Sequence, residues 1–215
     1  MNNKSCTIRV LLAFFLLSSV ATAQELKPVS LPDPQTDGGK PLMQALKARR
    51  TSREIKPDKL PLQVLSNLLW AAFGINRPES GKRTAPSAMN WQEIDIYVAL
   101  ADGLYVYDAK AKRLNPVLAA DMRGATGTQD FVKDAPVNLV YVADRARTGD
   151  ADVDAQNLYT AVDTGFIAQN VYLFCASEGL ATVVRGSVDT PPLAKLMKLR
   201  SNQRIIVAQT VGYPK

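Results

Sequence analysis

The chain has 215 residues, with 26 Lys and Arg against 20 Asp and Glu, and it contains no histidine. Without an imidazole, neither a Ser-His-Asp nor a Cys-His arrangement can form, and zinc sites lose their commonest ligand. The formal net charge of +6 is dispersed along the chain, which argues against a nucleic-acid surface.

Lys4 and Arg9 precede an apolar run from Val10 to Val20, and Ala21-Thr22-Ala23 fits a small-x-small cleavage site. Together they read as a secretory signal over residues 1–23, cleaved after Ala23. The apolar run falls short of the ~20 residues that a membrane span needs. The expectation is an exported, periplasmic protein starting at Gln24, its charge reduced from +6 to +4 by the loss of Lys4 and Arg9. About 190 residues then remain, enough for one domain with a sizeable core. Of the 2 cysteines only Cys175 survives processing, so no intramolecular disulfide is expected. In its apolar helical stretch it reads as a small buried hydrophobe.

Residues 24–40 carry Pro28, Pro32, Pro34, Gly38 and Gly39 and read as an extended arm or linker. Pro41 can open a helix with Leu42, Met43 and Leu46 on its apolar side. That helix runs into Arg49-Arg50-Thr51-Ser52-Arg53, where two readings stand. One is a phosphate clamp, because Arg presents a planar fork of donors. The other is a solvated helix end whose cations suit the negative pole of the helix dipole. From this stretch alone the second has a slight edge.

Pro61 starts the next helix, with Leu62, Leu65, Leu69, Ala72 and Phe73 as a core stripe and Gly74 as C-cap. A polar loop follows. Gly81, Lys82, Arg83, Thr84, Pro86, Ser87, Asn90 and Gln92 crowd donors, acceptors and charge together, as loops that carry ligand chemistry on a rigid scaffold do. Ile94, Ile96, Val98 and Leu100 alternate as a strand, and Ala101-Asp102 turns it into a second strand over Gly103–Tyr107. Tyr105 and Tyr107 share a face there and read as cross-strand packing.

Residues 114–135 read as mixed, with short helices. Val137–Ala143 is nearly continuous and apolar and reads as a central strand. The longest helical pattern runs from about Asp154 to Glu178, apolar over most of its circumference. Such a helix is buried on several sides, inside a core or against another subunit. Gly179 ends it, and Thr182–Val184 is a short strand opening into Arg185-Gly186-Ser187. Thr190 is placed to cap a helix carrying Leu193, Leu196 and Met197, and Arg204–Val211 is a final strand. These elements give one mixed α+β domain over residues 41–215, helices packed on a sheet. With no histidine and no obvious acidic pair, an enzyme of this composition would draw its reactive atoms from a bound cofactor.

Several stretches together resemble the flavin-dependent nitroreductase family. Ala48-Arg-Arg-Thr-Ser-Arg-Glu-Ile55 looks like its opening motif, and Pro86-Ser-Ala-Met-Asn90 with Gln92 looks like its flavin-edge segment. Gln169-Asn170, Gly179-Leu180, Asp189 and the closing Val211-Gly-Tyr-Pro214 fit its second half. Leu68–Pro78 with Lys82–Ser87 is similar to the branch of azoline-oxidising, thiazole- and oxazole-forming dehydrogenases.

The resemblance implies a homodimeric, nitroreductase-like mixed sheet flanked by helices, with FMN at the subunit interface. Arg49, Arg50, Thr51 and Arg53 would hold the phosphate and ribityl end. Pro86, Ser87 and Asn90 would line the ring, Asn90 offering an amide to its pyrimidine edge. Val184, Arg185, Gly186 and Ser187 match a later flavin-contacting turn, where glycine permits close backbone approach. The implied activity is an FMN-dependent oxidoreductase, exchanging hydride or electrons between flavin N5 and a small planar organic substrate. No catalytic residue and no metal is assigned. The alternative class is an exported protein that binds a flavin or sequesters a ligand without turnover. NAD(P)H, the family's usual reductant, is not expected outside the cytoplasm, so an exported member would use another electron source or act as an oxidase.

Overall fold

The computed structural model describes residues 25–215. The expected signal, residues 1–23, lies outside the described residues. Among those described, no helix is long and apolar enough to cross a membrane.

Residues 25–40 are extended, as expected, but they are strapped down rather than free. β1 (Val29–Ser30) pairs with β6 (Arg113–Leu118), and Leu31 is buried in the core. Gln35 N donates to Asn67 Oδ1 at 2.9 Å, and Lys40 N to Ser177 Oγ at 2.8 Å. α1 (Leu42–Ala48) follows Pro41, but its Leu42, Met43 and Leu46 face solvent and only Ala45 is buried. α2 (Leu62–Phe73) buries Leu65, Leu68, Leu69, Ala72 and Phe73 as its pattern predicts. A small hairpin, β2 (Ile75–Arg77) with β3 (Lys82–Arg83), then leads to the polar loop.

The main sheet has the order β1-β6-β5-β4-β7-β9-β8, with every pairing antiparallel. β4 (Ile94–Leu100) turns into β5 (Gly103–Asp108) across Ala101-Asp102, as the Asp-Gly signal predicts. β7 (Val137–Asp144) lies between β4 and β9 (Gln203–Gly212) with every residue buried. This explains its continuous apolar run, because both of its faces meet protein. β8 (Ala181–Arg185) closes the far edge.

Two corrections concern local signals. Arg113–Leu118 is a strand, not part of a helical region. Pro116 obscures it, since proline in a strand cannot donate to the ladder and signals a break. Thr190, expected as an N-cap, is the first residue of α4 (Thr190–Leu196), and Asp189 holds the cap position.

One face of the sheet packs Ile96, Val98, Leu139 and Tyr141 against α2 and against Ile167, Val171 and Cys175 of α3 (Val153–Glu178). The other packs Tyr97, Val140, Val142 and Ala208 against Leu193 and Met197. α3 starts where Asp152 Oδ1 accepts from Ala155 N at 2.8 Å and stops at Gly179, whose φ of 73° favours glycine. Its outer face carries an apolar stripe, with Leu158 59%, Val162 40% and Phe166 44% exposed. Residues four apart fall on one side of a helix, so these three form a continuous ridge. α1 packs beside α3.

Candidate active site

The first half of the expected site assembles around Tyr172. Backbone bonds tie residues 49–56 to the sheet edge: Ser52 N donates to Thr182 O at 3.0 Å and Lys56 N to Tyr213 O at 2.8 Å. The Tyr172 hydroxyl accepts the Val184 N–H at 3.0 Å and shares a 3.0 Å bond with the Thr51 hydroxyl. The Arg49 guanidinium lies over the Tyr172 ring, 5.5 Å from its centre. One side chain thus brings Arg49 and Thr51 to Val184, although more than a hundred residues separate them in sequence.

Beside this junction lies a cleft of 470 Å³ lined by Lys40, Lys47, Arg49, Arg50, Ser52 and Tyr172, among others, with no carboxylate in its wall. Arg49, Arg50 and Arg53 take part in no ion pair among the described residues. Four cations around a concave surface suit a phosphate, to which arginine donates in a charge-assisted, bidentate geometry. A solvated helix end would not require the concavity. Arg53 is exposed and does not line the cleft. Through Lys40 the cleft adjoins a wider groove of 570 Å³ bounded by Trp70, Asn76, Thr84 and Phe174.

At the end of β8, Gly186 and Ser187 are exposed and Ser187 O accepts from Thr128 N at 3.1 Å. The Arg185 side chain points the other way and is only 3% exposed. Its guanidinium donates to Thr126 O at 2.7 Å, Thr210 Oγ1 at 2.9 Å and Asn138 Oδ1 at 3.2 Å. Burial lowers its pKa to about 10. Gly127 passes so close that any side chain there would collide with the guanidinium. What Arg185 can offer a ligand at this turn is therefore its backbone.

The third group, Pro86, Ser87 and Asn90, sits elsewhere. Ala88 N donates to Asp163 Oδ2 at 2.8 Å, which docks this segment on the N-terminal half of α3. Asp163 and Tyr172 are nine positions apart, or ~13 Å along a helix. Within one chain, then, the ring-edge residues and the phosphate residues are not contiguous.

The segment is held in an unusual backbone shape. Met89, Asn90 and Gln92 have φ of 47°, 55° and 48°, values that non-glycine residues rarely adopt. Such strain persists only where surrounding contacts over-determine it. Here Gln92 supplies many of them. Its Oε1 accepts from Arg83 Nε at 2.6 Å, and its Nε2 donates to Gly81 O at 3.1 Å and to Asn90 Oδ1 at 3.0 Å. Arg83 in turn donates to Phe73 O at 2.8 Å and lies 4.5 Å over the Phe73 ring. Below the loop, the Ser87 hydroxyl donates to Glu93 Oε2 at 3.2 Å and accepts from Gln92 N at 2.8 Å. Glu93 is fully buried, and burial, reinforced by the neighbouring Asp163 charge, pushes its carboxyl up to about 7.

Sequence reasoning did not single out Tyr172, Lys40, Lys47, Glu93 or Asp163. A charged residue directly preceding a strand's first buried position, as Glu93 precedes Ile94, is the faint signal that was available.

The pattern of the nitroreductase family matches residues 46–213. A candidate nitroreductase of Methanocaldococcus jannaschii is 32% identical over 162 residues, covering 71% of this chain and 81% of that protein. The crystal structure of another candidate nitroreductase, from Ralstonia eutropha JMP134, is 43% identical and covers 91% of this chain and 92% of its own, with a TM-score of 0.85. The fold is also that of an NADPH:FMN oxidoreductase from Vibrio harveyi complexed with NAD+, at 21% identity, with a TM-score of 0.61 and coverage of 81% of this chain and 69% of that one. The chain belongs to the nitroreductase family. It is an oxidoreductase of the flavin-dependent kind that defines that family.

Proposed function

We propose that the protein is an FMN-dependent oxidoreductase acting on a small planar organic substrate, with each FMN held between two copies of the chain. The observation that carries this reading is the carboxylate-free cleft whose wall includes Lys40, Lys47, Arg49 and Arg50, joined through Tyr172 to Thr51 and Val184. Those residues fit a phosphate and its polyol. Gly186 and Ser187, exposed just beyond Val184 on the chain, are assigned to the same ligand. Pro86, Ser87 and Asn90 dock on a different stretch of α3, at Asp163 rather than Tyr172, and we assign them to the partner's site. The exposed ridge of Leu158, Val162 and Phe166, together with Leu42, Met43 and Leu46 of α1, supplies the apolar surface that a second copy would cover.

When bound, FMN supplies the redox centre, through N5. The chain's own groups bind and orient it: cations neutralise the phosphate, and the Asn90 amide is held by Gln92 for an edge rich in donors and acceptors. Within the family we place the chain near the azoline-oxidising dehydrogenases, on the pattern of Leu68–Pro78 and Lys82–Ser87. We further propose export, with a signal over residues 1–23, an arm over 24–40 and the flavin domain over 41–215. One preparation tests these points together. Protein isolated from the native cell envelope should begin at Gln24 and release FMN on denaturation. A colourless protein with no affinity for FMN would overturn the cofactor, and a soluble cytoplasmic form beginning at Met1 would overturn export.

A further inference from the structure

Glu93 and Asp163 are both almost completely shielded from solvent, at 0% and 2% exposure, and they hold neighbouring residues of one loop, Ser87 and Ala88, so that the Asp163 charge adds to the rise of the Glu93 carboxyl. Two ionised carboxylates are acceptors only and, buried near each other, repel, which favours a proton on one. Their contacts leave room for that proton. Glu93 Oε2 receives the Ser87 hydroxyl and Asp163 Oδ2 receives the Ala88 N–H, while Glu93 Oε1 has no partner among the described residues. Among the described residues no cation forms an ion pair with either carboxyl. Arg147 is committed to Asp95 at 2.5 Å and donates to Gln92 O at 2.8 Å, and Asp144 takes Arg200 at 2.5 Å. Arg83 donates to Gln92 and to Phe73 O.

We propose that Glu93 and Asp163 form a proton-sharing carboxyl pair that positions the Ser87–Gln92 segment, holding its strained backbone in ligand-ready shape only while the shared proton is present. Both members touch that segment, Glu93 through the Ser87 hydroxyl and Asp163 through the Ala88 N–H. Loss of the proton places two buried negative charges side by side, and the least costly relief is to move the loop and admit water. An unfolded glutamate releases its proton near ~4.3. The folded carboxyl, raised to about 7, keeps it longer. The stabilisation is therefore present in acid and is lost as pH rises through about 7. Neither residue is catalytic. They act on the ligand through Ser87 and Asn90, and so this inference deepens the flavin reading.

The loop carries its own reporter. Trp91 packs edge-on against Tyr159 of α3, ring centres 5.8 Å apart, and Trp70 is the other of the 2 tryptophans. In a Trp70→Phe background without flavin, Trp91 fluorescence should titrate with a midpoint near the raised Glu93 value. Glu93→Gln, which keeps the neutral shape, should abolish the transition. Asp163→Asn, whose amide can donate to Glu93, should move it to lower pH. A pH-independent Trp91 signal in the parent protein would overturn the proposal. So would an unchanged transition in either variant that circular dichroism shows to be folded. FMN titrated into the same proteins should bind less tightly above the midpoint, by at most about tenfold per pH unit for a single proton, and Glu93→Gln should remove that slope. Failure of FMN to bind at any pH would sink the flavin reading alone, because the Trp91 titration decides the carboxyl pair without it.

Discussion

Arg50 lies in the wall of a cleft that contains no carboxylate, so its guanidinium is available to an anionic oxygen. Hydrogen bonds to charged groups contribute ~1.5–3 kcal/mol each, so Arg50→Ala should weaken FMN binding by roughly 10- to 100-fold. Lys110→Ala, at an exposed position outside the cleft, should leave it unchanged. Fluorescence quenching of FMN titrated into each variant reads the difference, and equal affinities would return residues 49–53 to a solvated helix end. The arginine cluster stood out because density and charge sit in adjacent positions, although the stretch alone slightly favoured a solvated helix end. Tyr172 and Asp163 did not, because their roles are contacts with partners 121 and 75 residues away. The Arg185 side chain was misleading for the same reason. It was expected at the flavin only from its place in the 184–187 turn, whereas Thr126, Asn138 and Thr210 take its guanidinium into the interior.

α3 shows how periodicity is read correctly and yet leaves a question open. Its apolar residues cover most of the circumference, and the structure divides them between two environments. Ile167, Val171 and Cys175 face the sheet and α2, while Leu158, Val162 and Phe166 face outward. A sequence cannot make that division, since it depends on which side the sheet occupies. The consequence is a pair of contrasting substitutions. Phe166→Asp, at a residue 44% exposed in the isolated chain, should leave the fold intact and weaken dimerisation by ~2 kcal/mol or more, roughly 30-fold. Val171→Asp, at 0% exposure, should unfold the monomer instead. Sedimentation with circular dichroism separates the two, and a folded, fully dimeric Phe166→Asp protein would remove α3 from the interface. Pro116 marks the opposite limit. β6 pairs with β1 on one side and β5 on the other, yet proline is a breaker signal strong enough to hide a paired strand.

At the scale of the whole molecule, the chain resolves into a seven-stranded antiparallel sheet whose one helical face carries two separated clusters of ligand-type residues. One is the Arg49–Thr51 cleft at Tyr172, and the other is the Ser87–Asn90 segment at Asp163. The general α+β layering followed from the order of strand and helix patterns, and the family from short motifs in the right sequence. The spacing between the clusters did not, because it depends on where along α3 each loop docks. In the proposed dimer, that spacing is what a second copy of the chain would bridge. Intersubunit complementation therefore tests the shared site most directly. Arg50→Ala and Asn90→Ala chains, each poor in FMN binding alone, are mixed one to one, dissociated and reassembled. Random pairing makes half the dimers mixed, and each mixed dimer holds one site with both residues intact, so about a quarter of wild-type FMN binding should return. Reassembled dimers that remain as empty as the separate variants would show that Arg50 and Asn90 serve the same site from one chain.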